Sequence, residues 1–99
     1  MRVSAIDQKA IINITHQYFD KEAEVYLFGS RVDDAKKGGD IDLYIIPEHK
    51  HNAKELYDKK IKFLVALQLA IGEQKVDVIV ARDKNRPIEQ EAIRTGVKL

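Results

Sequence analysis

Asp40 and Asp42 stand two positions apart in Gly39-Asp40-Ile41-Asp42-Leu43, where Ile41, Leu43, Tyr44, Ile45 and Ile46 supply a strand-forming run. On a strand, side chains at i and i+2 leave the same face, so this pair can approach one hard cation together. Magnesium favours such oxygen ligands, completed by phosphate oxygens. Taken alone the pair is weak evidence, because acidic residues near a strand end are commonly just solvated. A Gly29-Ser30 turn lies upstream. Its glycine lets backbone amides come close to a phosphate, and its serine hydroxyl can donate one more hydrogen bond. The third feature is Asp77, which interrupts the apolar run Val76-Asp77-Val78-Ile79-Val80, where β-propensity and burial both disfavour a carboxylate. Its alternative reading is a charge on an edge strand that blocks pairing between molecules.

These groups need elements to hold them. Ser4 followed by Asp7 resembles a helix cap, and Ile6, Ala10, Ile14 and Tyr18 recur at helical spacing, which predicts a first helix over about 4–19. Glu24–Phe28 is rich in β-formers and stops at Gly29-Ser30, as a strand running into a turn does. Residues 31–39 are polar and end in a Gly-Gly pair, so a surface turn or short helix is expected there. The second strand is placed at 40–46, ended by Pro47, with Ile41, Leu43 and Ile45 on one face and Asp40, Asp42, Tyr44 and Ile46 on the other. Ala53–Ile71 reads as the longest helix, with Leu56, Leu64, Leu67 and Ile71 on a stripe beside Ile61 and Phe63, and Gly72 as its stop. A third strand at 75–81 and a final helix at 88–95 behind Pro87 complete the order αββαβα. This is an α/β domain with a small mixed sheet flanked by helices.

The topology brings the chemistry together. A short link between the first two strands favours antiparallel neighbours, which sets the Gly29-Ser30 turn beside the Asp40-Asp42 pair. A long helix between the second and third strands suits a right-handed crossover to a parallel strand, placing Asp77 level with Asp42. Three carboxylates are therefore expected to converge.

Composition bounds the rest. The chain has 99 residues, 44% of them hydrophobic and 33% charged, which fits one modest core and a single domain over 1–99. A formal charge of +1 supplies no global field for nucleic acid or an anionic membrane, so recognition has to be local. There is no cysteine, which excludes disulfides, thiolate metal sites and a cysteine nucleophile. The first ten residues carry no signal-peptide core and no apolar run is long enough to cross a bilayer, so the default expectation is a cytoplasmic protein with no membrane partner.

On Leu27-Phe28-Gly29-Ser30-Arg31, Gly39-Asp40-Ile41-Asp42-Leu43 and Val76-Asp77-Val78-Ile79-Val80, the chain resembles the DNA polymerase β-like nucleotidyltransferase superfamily, most closely its minimal nucleotidyltransferases. The closing Ala92-Ile93-Arg94-Thr95-Gly96 is similar to that of the short members. The resemblance implies the polymerase β-like palm fold, with Gly29 and Ser30 on the triphosphate, Asp40 and Asp42 on magnesium, and Asp77 as third carboxylate. In a two-metal displacement Asp77 either ligates a metal or takes the proton of the attacking hydroxyl. The activity implied is transfer of a nucleoside monophosphate, AMP from ATP, to an acceptor hydroxyl. The partner implied is a separately encoded helical protein of the HEPN or substrate-binding type, in some pairs a toxin to which the transferase is antitoxin. Nucleic acid is not expected as a direct partner.

One departure stands out: residues 31–39 make the link from Ser30 to Asp40 one residue shorter than in the antitoxin-type members, and Asp33-Asp34 replaces their frequent Arg-Gly. Arg31 can reach a phosphate with its planar fork or brace the turn against Asp33 or Asp34. The shortened link keeps a second reading open, a non-catalytic nucleotide-binding module that regulates a helical partner by contact. Among weaker candidates, His49 and His51 read as solvated loop residues, and Lys59, Lys60 and Lys62 as a charged helix exterior. Tyr44 shares the acidic face and can stack on a base or pack.

Overall fold

The computed structural model describes residues 3–29, 32 and 39–99. Ser4 accepts a hydrogen bond from the Asp7 backbone N–H at 3.1 Å and caps α1, Ala5–Tyr18. The buried face of α1 is Ile11, Ile14 and Thr15, whereas Ile6 is 80% exposed, so the inward stripe begins a turn later than the Ile6-led spacing implied. The longest helix, α2, covers Ala53–Ile71 as expected. A reciprocal capping box between Asn52 and Glu55 opens it, and Gly72 ends it in the left-handed region at φ +86°. Phe63 and Leu67 are its fully buried residues, and Phe63 meets Phe19 edge-on at 5.7 Å.

Strands β1 (Glu24–Phe28), β2 (Ile41–Ile46), β3 (Val76–Val80) and β4 (Val97–Lys98) form one mixed sheet in the order β3-β2-β1-β4. β1 and β2 are antiparallel and β2 and β3 parallel, both as expected from the lengths of their connections. β2 and β3 each begin one residue later than the sequence implied, which leaves Asp40 just ahead of its strand. β4 was not legible; its two residues, Val97 and Lys98, extend the far edge of the sheet by pairing with Leu27 and Tyr26.

The two faces of the sheet are covered unequally. Val25, Leu27, Ile41, Leu43, Ile45 and Val78 face the α1 and α2 layer and form the main core with Ile11, Phe63 and Leu67. On the other face Phe28 and Tyr44 pack with Ala92 of α3, Pro87–Thr95, in a smaller cluster. Period-two alternation along β2 thus sends Ile41, Leu43 and Ile45 into the thick core and Asp42, Tyr44 and Ile46 to the thin face. No described helix is long and apolar enough to cross a membrane.

Candidate active site

The antiparallel register pairs Phe28 with Asp42, which carries the end of β1 to the start of β2. The next residue, Gly29, has φ +78°, a conformation that L side chains rarely adopt. A Cβ at Gly29 would collide with Oδ2 of Asp42. Backbone and carboxylate therefore lie closer here than any side-chain-bearing residue permits, and the expected meeting of the glycine turn with the acidic pair is realised at Gly29 and Asp42. Ser30, Arg31, Asp33 and Asp34 lie outside the described residues.

In the parallel register Asp77 is the direct partner of Asp42, so both carboxylates leave the same face of the sheet at the same level. Asp77 itself is exposed, which corrects the argument that burial makes a charge unexpected at this position. Asp40 lies next to the strand, with its Oδ2 3.4 Å from Nζ of Lys75, an open-surface ion pair. Asp42 feels the whole group. Burial, then the charges of Asp77 and Asp40, and more weakly Glu91, raise its carboxyl above the ordinary value, with Lys75 opposing them.

These groups border a cleft of about 530 Å³ lined by Phe28, Gly29, Asp42, Asp77, Ile88 and Glu91 among others. Among the described residues no three His, Cys, Asp or Glu side chains are gathered closely enough to hold a metal by themselves. Asp42 and its neighbours nevertheless fit a hard divalent cation. They are oxygen donors crowded enough to repel one another beside a glycine cradle, and a cation such as magnesium commonly takes one or two carboxylates and completes its shell with water and phosphate.

Residues that the sequence reading passed over support the cleft. Glu89 of α3 is fully buried and accepts hydrogen bonds from the Tyr44 hydroxyl at 2.8 Å, the Asp83 N–H at 2.9 Å and the Arg82 N–H at 3.2 Å, with Nη1 of Arg86 at 3.2 Å. It pins α3 to β2, and α3 carries Glu91 to the cleft. The available signal was a glutamate sharing a buried helical face with Ala92 at i+3. Tyr44 is 1% exposed, so it packs; burial and its bond to Glu89 raise its hydroxyl well above the ordinary value. For Glu91 and Lys75, exposed charges outside any motif, the sequence offers no comparable sign.

The loop histidines divide. His49 is exposed, as read, but the side chain of His51 is only 11% exposed, between Asp20 at 3.5 Å and Glu55 at 3.4 Å. Burial pushes the Asp20 carboxyl up, yet the N–H groups of His49 and Glu48 and the His51 ring together hold it below its usual value. This cluster braces the link after β2.

A family model described as polymerase beta nucleotidyltransferase matches residues 9–99. No curated protein matches the chain. Among solved structures, one titled as a mutant of the toxin–antitoxin MntA-HpeT is similar, with a TM-score of 0.63 at 20% identity, covering 93% of this chain and 70% of that one. At that identity the likeness speaks for the fold, and the family match over nearly the whole chain accords with the motifs around Gly29, Asp42 and Asp77. The chain belongs to the polymerase beta nucleotidyltransferase family.

Proposed function

We propose that the chain binds a magnesium-bound nucleoside triphosphate, ATP, and transfers its monophosphate to an acceptor hydroxyl on a separately encoded helical partner, releasing pyrophosphate. The observation that carries this reading is the setting of Asp42, level with Asp77 and pressed against a left-handed glycine at the mouth of a cleft. Gly29, with Ser30 and Arg31 following it in the chain, holds the triphosphate; Asp40 and Asp42 hold the cation, with Asp77 completing a two-metal site. Bound there, magnesium neutralises the phosphates and withdraws charge from the breaking bond. The acceptor oxygen bonds to the α-phosphorus as the bond to pyrophosphate breaks, and the acceptor proton passes to Asp77 or to water.

Two points support a protein partner. The cleft is open and its walls are few, so a bare domain has little with which to grip an acceptor. The similar solved structure is titled as a toxin–antitoxin pair, and its mutated aspartates stand two positions apart, as Asp40 and Asp42 do here.

The test incubates the chain with magnesium, ATP labelled on the α-phosphate, and the protein encoded by the adjacent gene. Label is expected on that protein and is expected to vanish with Asp42→Asn. Absence of transfer by the parent chain, with partner binding retained in Asp42→Asn, would establish instead a non-catalytic module acting by contact.

A further inference from the structure

The cleft does not end at its carboxylates. Lys60 and Leu64 of α2 line it together with Ile88 and Glu91 of α3, and these helices belong to opposite layers, so it opens onto the edge of the sheet at β3. A second hollow of about 330 Å³ shares Lys60, Val78 and Ile79 with the first and continues toward the other end of β3, where Leu56, Tyr57, Val80 and Arg82 line it. The two make one groove along the edge strand.

The ends of the groove carry opposite charge. Asp42, Asp77 and Glu91 stand at one end and His51, Arg82 and Arg86 at the other, with Lys60 between them. Arg86 is matched by Glu89, and His51 sits between Asp20 and Glu55. Lys60 and Arg82 have no carboxylate partner among the described residues, so the unmatched positive charge is theirs.

Backbone parity adds a second property. The Lys75 carbonyl accepts from Ile41 and the Ala81 N–H donates to Ile45, so odd-numbered residues of β3 turn their backbone groups toward β2. Val76, Val78 and Val80 must turn theirs outward, to a side on which no described strand pairs. Val78 is 2% exposed, whereas Val76 and Val80 on either side of it are partly exposed and can each meet an incoming chain. Lys60, common to both hollows, is the flexible side chain between them.

We propose that this groove takes an extended segment of the partner protein in which acidic residues reach Lys60 and Arg82 and a hydroxyl-bearing residue lies beside Asp77. The inference rests on the nucleotidyl-transfer reading and names the chemistry of its acceptor. A segment along β3 alternates its side chains between the two layers, so a hydroxyl level with Asp77 enters the face that carries Asp42. The aliphatic floor of Leu56, Leu64, Val76 and Val80 suits peptide side chains, and a polynucleotide would bring further anions against Asp77 and Glu91.

The test pans the full chain, with magnesium and a non-hydrolysable ATP analogue, against phage-displayed random decapeptides bearing one fixed central Ser, Thr or Tyr. The expected result is enrichment of Asp and Glu over Lys and Arg to one side of the fixed residue. The best peptide is expected to lose roughly tenfold in affinity toward the Arg82→Glu protein and to regain it when its acidic residues are exchanged for arginine. Lack of acidic enrichment, or equal affinity for both proteins, overturns the proposal. Displacement of the peptide by an equal concentration of decauridylate also overturns it, in favour of a nucleic-acid groove. The melting temperature of the unsubstituted chain is read separately with magnesium and ATP. A shift without peptide selection removes the groove alone, and peptide selection without a shift removes the nucleotidyl-transfer reading beneath it.

Discussion

Two carboxylates on the thin face of the sheet sit in opposite surroundings. Glu89 is fully buried, yet every neighbour within reach donates to it: a tyrosine hydroxyl, two backbone N–H groups and a guanidinium. Asp42 is half-buried, and its strongest electrostatic neighbours are Asp77 and Asp40, opposed by one lysine across open surface. The first arrangement is what a folded chain does with a charge it needs for structure. The second leaves a charge uncompensated by the chain itself, which has physical sense when a cation from outside completes it.

Removing each carboxylate should therefore act in opposite directions, and the largest effect belongs to Glu89. Glu89→Ala strips the acceptor from Tyr44, Arg82 and Asp83 and leaves Arg86 without its counter-charge, a loss of about 3 kcal/mol. For a domain of this size that lowers Tm by roughly 12–24 °C. Thermal denaturation followed by circular dichroism measures it, and a fall of only a few degrees would show that α3 is held by its aliphatic contacts and that Glu89 is no anchor.

The next effect probes the contact between glycine and carboxylate. Gly29→Ala must either leave the left-handed region or push Asp42 aside, at a cost of about 1–2 kcal/mol. The more telling readout is the Tm increment given by magnesium and ATP, which should shrink by more than the loss of basal stability, because both groups that meet there belong to the proposed site. An unchanged increment would separate Gly29 from nucleotide binding.

Much of this contrast is legible in the sequence, and the parts that are not share a physical cause. The bounds of α2 follow from a cap and a glycine stop that act over a single turn, so sequence order alone carries them. The level of Asp77 with Asp42 followed from the handedness and parallel sense of one crossover. The helical face shared with Ala92 hints at the burial of Glu89 but not at its partners, because its tyrosine is 45 residues away on another element. β4 depends on where α3 releases the chain, and its two residues are too few to show a period. His51 looked solvated because it follows Pro47 in a polar loop, yet Asp20, from the turn after α1, folds over it. Local signals fixed elements; contacts between distant elements decided which charges are satisfied.

The smallest expected effect is the sharpest test of the contrast. The pKa of the Asp42 carboxyl is raised above its ordinary value, so in the window from that value up to its folded-state pKa the native chain holds more protons on this group than the unfolded chain does. Stability contributed by the neutral carboxyl is therefore lost as pH rises through that window, and above it Asp42 is a net liability when no cation is present. Asp42→Asn removes the charge while keeping the shape, so at neutral pH without metal it should melt higher than the parent by roughly 2–4 °C, a modest figure because the group is partly solvated. The gap should close toward pH 4, narrow in high salt as the repulsion is screened, and reverse when magnesium and ATP are added, since only the parent gains from them. An Asp42→Asn protein that melts lower than the parent throughout would mean that Asp42, like Glu89, is held by donors of its own fold, and the distinction between a structural and a functional carboxylate on this sheet would fall.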